Sequence, residues 1–155
     1  MKEIFINDWI VQYDPDKTSQ IYKKIERGYS GYCSCQICKH YSQYRNKYIP
    51  EDLGYLIEEL GIDITKEAEV SFSGDKTIFQ GYFTIFFHFI GSVKTHPNGW
   101  NICSAGEYFQ YAKKCLIRIS EVCEMQNPLF FGVNTLQISL LIYEGISSHD
   151  KISFY

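Results

Sequence analysis

Alanine is nearly missing from this chain, with three residues in 155 against twenty isoleucines. That bias is what an AT-rich genome writes, and it points to a low-GC bacterium as the source. Charge is also sparse: Asp, Glu, Lys and Arg make up 21%, while apolar residues reach 45% and aromatics 17%. Such a balance excludes both a disordered chain and a coiled coil. Long apolar runs are missing too. The longest, Phe83 to Ile90, is interrupted by Thr84 and His88 and falls far short of the roughly 20 residues a membrane helix needs. Between Met1 and Val11 there is no apolar leader segment and no small-residue cleavage site, which reads as no secretory signal. A cytoplasmic chain is therefore expected. No linker, repeat or low-complexity stretch breaks it, so residues 1–155 are expected to form a single domain.

Common catalytic signatures are absent as well: no glycine-rich phosphate loop, no nucleophile elbow, no His-Glu-x-x-His and no paired acidic motif. The net charge of −3 is unevenly spread. Pro15 to Lys47 carries seven Lys or Arg against Asp16 and Glu26, whereas Glu51 to Asp75 carries eight acids against Lys66. Neighbouring segments of opposite sign can neutralise each other on folding, or leave a charged face for a partner.

Punctuation and periodicity give the fold class. Met1 to Tyr13 reads as a strand from its branched and aromatic residues. Asp14-Pro15-Asp16 opens a helix expected from Asp16 to about Arg27, which Gly28 stops. Ile37, Tyr41, Tyr44 and Tyr48 recur at helical spacing and predict a helix over 36–47. Leu53, Leu56, Ile57 and Leu60 form one face of a helix over 51–60, with two acids at its start and Gly61 at its end. Beyond Gly61 the texture becomes β-like over 69–73, 78–93, 115–122 and 132–143, with period-two alternation plainest in Thr135 to Tyr143. Phe72 to Lys76 reads as a hairpin loop and Pro97-Asn98-Gly99 as a turn. The expectation is an α+β fold, with helices mainly in the first half and an antiparallel sheet of four or five strands mainly in the second.

One cluster carries chemistry. Cys33, Cys35 and Cys38 place three thiols within six residues at a loop and helix start. Thiolates are the ligands zinc prefers, and this spacing lets their sulfurs converge on one ion. His40, two residues past Cys38, belongs on another side of the helix, so a fourth ligand would come from Cys103, Cys115, Cys123, His88 or His96, or from water. A redox reading makes Cys35 a nucleophile activated by the helix start, with Cys38 resolving. Plain packing of small buried cysteines is the third reading. The interleaved Tyr, Lys and Arg residues from Tyr22 to Tyr48 offer either a stacking surface for single-stranded nucleic acid or rim and core tyrosines, and a sequence pI near 5.8 argues for the latter. His88, His96 and His149 have no nucleophile or carboxylate near them in sequence.

Tyr32-Cys33-Ser34-Cys35-Gln36-Ile37-Cys38, the Leu60-Gly61-Ile62-Asp63 step, and Gly81-Tyr82-Phe83 leading to Phe87-His88-Phe89-Ile90-Gly91 resemble a set of uncharacterised small proteins of low-GC Gram-positive bacteria. The resemblance implies a bacterial origin and a cytoplasmic location, and brings no activity with it. In texture the chain is also similar to immunity proteins that neutralise toxins. The function expected is a non-catalytic binding or interaction protein, of toxin-immunity type. The alternatives are a thiol-dependent or zinc-dependent enzyme built on Cys33, Cys35 and Cys38, and a nucleic-acid-binding module.

Overall fold

The computed structural model describes residues 1–75, 80–95 and 108–144. Two strands open the chain, β1 (Lys2–Ile6) and β2 (Trp9–Tyr13), followed by helices α1 (Pro15–Lys24), α2 (Tyr29–Tyr32), α3 (Gln36–Tyr48) and α4 (Glu51–Glu59). Then come β3 (Glu69–Asp75), β4 (Gln80–Thr95), β5 (Phe109–Ala112), β6 (Cys115–Ser120) and β7 (Thr135–Glu144). The fold is α+β, with its helices in the first half and most of an antiparallel sheet in the second, as expected.

The sheet has seven strands where four or five were expected. The opening segment is a hairpin rather than one strand, because Asn7 takes a left-handed φ of 54° and reverses the chain between Ile6 and Trp9. Asparagine tolerates that conformation, so a two-residue turn forms without glycine or proline. Phe109–Ala112 adds the other strand beyond expectation. Phe72 to Asp75, expected in a hairpin loop with Lys76, belong instead to β3 and pair with β4 as far as Asp75 and Gln80, because their alternation extends the ladder; Lys76 lies outside the described residues, as does the turn expected at 97–99.

β4 organises the molecule. It pairs with β7 along one edge, and along the other its first half pairs with β3 and its second half with β2. Between those partners the β4 edge meets α1 instead of a strand. Thr18 Oγ1 accepts from the Ile90 N–H at 3.0 Å, and the Tyr22 hydroxyl serves both backbone groups of His88. Buried backbone groups need partners, and here two side chains supply them.

One face of the sheet carries the main core. Phe83, Ile85, Phe87 and Phe89 share it with Leu136, Ile138, Leu140 and Ile142 of β7 and with Ile117 and Ile119 of β6. The tyrosines of α3 pack there: Tyr41 and Tyr48 lie 5.7 Å and 5.2 Å, ring to ring, from Phe83. On the opposite face His88, Gln137, Ser139 and Ser120 are buried together with Phe130, from a 3₁₀ turn at Pro128–Phe130. Among the described residues, no helix is long and apolar enough to cross a membrane.

Candidate metal centre

The three cysteines meet because two helices are almost fused. Cys33 closes α2, its N–H bonding to the Tyr29 carbonyl at 3.0 Å, and Cys35 is the N-cap of α3, leaving Ser34 alone between them. A cysteine at an N-cap can accept from the free amides of the first turn. Cys35 Sγ does so from the Cys38 N–H at 3.5 Å. The Sγ atoms of Cys33 and Cys35 are 3.1 Å apart, and all three sulfurs lie within 4.8 Å of one another. Around a tetrahedral ion with metal–sulfur bonds of about 2.3 Å, sulfurs stand roughly 3.8 Å apart. The cluster needs only small side-chain rotations to reach that geometry.

Exposure is graded across the cluster: Cys38 is buried, Cys33 half-buried and Cys35 exposed. The electrostatics follow. The Cys38 N–H, then the Cys33 thiol, bond to the Cys35 sulfur and pull its pKa down to about 7 against an opposing effect of burial. Cys38 moves the other way, chiefly through burial, then through its hydrogen bonds with Cys33 and Cys35 and their negative charge. Cys35 therefore begins to ionise around neutral pH, while Cys38 keeps its proton. A soft divalent cation would displace the remaining protons, as thiolate metal sites do.

A buried brace holds the loop in place. Glu67, its side chain fully buried, accepts from the Ser30 N–H at 2.8 Å and from the Ser30 hydroxyl, and Arg45 Nη2 reaches Glu67 Oε2 at 3.3 Å and Ser30 Oγ at 3.1 Å. Ser30 belongs to α2 and Arg45 to α3, so this one carboxylate ties together the helices on either side of Ser34. At Gly28, which precedes α2, a Cβ would fall 2.6 Å from the Thr65 carbonyl oxygen, and the Tyr29 N–H bonds to the Glu67 carbonyl at 2.8 Å. Sequence reasoning missed Ser30, Arg45 and Glu67; the one available signal was the glycine pair Gly28 and Gly31 flanking Ser30.

The structure brings Cys33, Cys35 and Cys38 together and leaves the other described candidates elsewhere. His40 turns to the Tyr48 hydroxyl and stacks over Phe83, as its position along the helix predicted. Cys115 is buried in β6, Cys123 bonds to the Thr135 carbonyl at 3.5 Å, and His88 Nε2 sits 3.2 Å from Gln137 Oε1. Among the described residues no fourth His, Cys, Asp or Glu joins the three sulfurs. Cys103, His96 and His149 lie outside the described residues. For redox chemistry Cys35 has Cys33 Sγ at 3.1 Å, while Cys38, expected to resolve it, is buried. The interleaved tyrosines divide: Tyr22, Tyr41 and Tyr48 enter the core, whereas Tyr29, Tyr32 and Tyr44 stay exposed.

No family model, curated protein or solved structure matches the chain.

Proposed function

We propose that the protein is a non-catalytic binding protein that carries one zinc ion on Cys33, Cys35 and Cys38. The observation that carries this reading is the convergence of three sulfurs within 4.8 Å of one another at the junction of α2 and α3. Soft thiolates select zinc over magnesium or calcium, and Cys35 reaches its thiolate form without strong base. The ion would bond to one buried and two more accessible sulfurs, locking α2 against α3 from the solvent side while Glu67 locks them from within. A structural zinc adds stability on the order of 10 kcal/mol, far more than the Ser34 linker and one ion pair supply. The fourth position goes to water or to a ligand outside the described residues.

Protein purified without chelator should hold one zinc per chain by elemental analysis. Cobalt substitution should give the intense visible absorption and near-ultraviolet thiolate charge-transfer bands of a tetrahedral sulfur site. Cys35→Ser and Cys38→Ser should each lose the metal and melt lower. Protein that takes up neither metal, and melts at the same temperature with and without Cys35, would leave the cysteines as packing.

A second reading rests on a separate observation, the Cys35 thiol at about 7 with Cys33 Sγ 3.1 Å away. That pair is suited to reversible disulfide formation by exchange with a disulfide substrate: Cys35 thiolate attacks one substrate sulfur, and Cys33 then displaces the mixed disulfide, releasing the substrate as two thiols. Stoichiometric zinc on both sulfurs would exclude it.

A further inference from the structure

The acidic stretch of the sequence surrounds a groove that none of the three clustered cysteines lines. It has a volume of about 520 Å³ and runs along the outer side of α4 to the segment that follows it. Ile49, Ile57, Ile62 and Ile64 form its apolar floor. Glu51, Glu58 and Asp63 stand on its rim, and no lysine or arginine lines it. Lys66 answers Asp63 at 3.5 Å, but among the described residues Glu51 and Glu58 pair with no cation. Tyr55, 62% exposed, lies over the groove with its hydroxyl on Glu51 at 2.9 Å. Large rings of this kind anchor protein interfaces.

Gly54 gives an independent indication. It lies inside α4, where glycine weakens a helix relative to alanine, and its backbone is ordinary right-handed helix. A Cβ added there would meet nothing within 4 Å. Neither the backbone nor packing within the described chain calls for glycine at this point. What its bareness provides is clearance over the apolar floor, one turn from the carboxylates of Glu51 and Glu58.

We propose that this groove docks a cationic amphipathic segment of another protein, with its apolar side chains seated on the isoleucine floor beside Gly54 and its lysines or arginines meeting Glu51 and Glu58. The apolar contact supplies affinity, and the Glu51 and Glu58 carboxylates supply both steering and selection against acidic or neutral segments. The fit depends on complementary charge, so it weakens as salt rises.

The test uses full-length isotope-labelled protein and a short synthetic helix of leucine and lysine, with a leucine–glutamine helix of the same pattern as control. Binding of the lysine helix should shift amide resonances of 49–64, and the glutamine helix should bind at least about tenfold more weakly. The double variant Glu51→Lys/Glu58→Lys should lose at least about tenfold in affinity. Gly54→Leu should block binding without lowering the melting temperature, and Gly54→Ala should raise that temperature by about 3 °C. Equal binding of both helices, shifts scattered away from 49–64, or unchanged affinity in Gly54→Leu would overturn the proposal. So would concentration-dependent self-association abolished by Gly54→Leu, since that result assigns the groove to a second copy of the chain. Removing bound metal should leave the binding unchanged, which separates this site from the cysteine cluster.

Discussion

The hydroxyl of Tyr22 occupies the place of a missing strand beside His88: it accepts from the His88 N–H at 3.2 Å and donates to the His88 carbonyl at 2.9 Å. Together with Thr18 on the Ile90 N–H, this side chain of α1 fills the opening on β4 between β2 and β3. Tyr22 is 3% exposed and packs edge-on to Phe130 with ring centres 5.8 Å apart. Tyr22→Phe should keep the ring packing, leave two buried backbone groups unpaired, and cost about 1–3 kcal/mol in urea unfolding. An unchanged midpoint would show that the β4 edge finds partners without this hydroxyl.

Arg45 and Glu67 should behave as a buried pair whose halves are worth more together than apart. Arg45→Met leaves the Glu67 carboxylate buried with only Ser30 beside it and should cost about 3–5 kcal/mol. Arg45→Met combined with Glu67→Leu removes both charges and should recover much of that loss. Chemical denaturation of the two single variants and the double completes the cycle, and simple additivity would refute a coupled pair.

Cysteine reactivity should separate along the cluster. With its pKa drawn down to about 7, metal-free Cys35 should alkylate with a rate midpoint near pH 7, well below the ordinary thiol value of 9.0. Buried Cys38 and Cys115, both pushed upward by desolvation, should stay unmodified until the protein unfolds. Mass spectrometry of iodoacetamide adducts across pH measures this directly. A Cys35 midpoint near pH 9 would remove both the thiolate and the amide contact proposed to hold it.

His88 should make the protein acid-sensitive. Burial holds its pKa below 6.5, while hydrogen bonds with the Gln137 side chain and the Glu124 main chain pull it upward in part. In the window just under 6.5 the unfolded chain binds the proton more readily than the folded one. The stability from a neutral His88 is therefore fully present above pH 6.5 and is lost as pH falls through that window. The melting temperature of His88→Gln should fall less between pH 7 and pH 5 than that of the parent. Parallel curves would mean that His88 takes no part in the acid response.

The parts of the fold written as short-range patterns could be read in advance. α4 announces itself through Leu53, Leu56 and Ile57 on one face, and β7 through the strict alternation of buried Leu136, Ile138, Leu140 and Ile142. The three-cysteine cluster was legible for the same reason, since its members are six residues end to end. What escaped depends on partners far apart in sequence. Tyr22 looks like one more member of a Tyr/Lys face until His88, 66 residues later, comes to lie beside it. Glu67 looks like a surface acid among many until Ser30 and Arg45 arrive from two separate helices, α2 and α3. The hairpin of β1 and β2 escaped because its turn rests on Asn7 in a left-handed conformation, with no glycine or proline to mark it.

β4 has a consequence for the order of events on the ribosome. Its 16 residues supply the neighbour for β2, β3 and α1, and its own other edge waits for β7, which begins only at Thr135. Until β4 is made, α3 holds Tyr41 and Tyr48 with no Phe83 to pack on and the β1–β2 hairpin is too small to persist alone in water, and from β4 to β7 the long strand keeps one edge open. Such exposed rings and unpaired strand edges are what holding chaperones recognise. Vectorial synthesis therefore keeps the whole amino-terminal half waiting for residues that emerge late, and a pause between β4 and β7 would prolong exactly the interval in which the chain is open to aggregation.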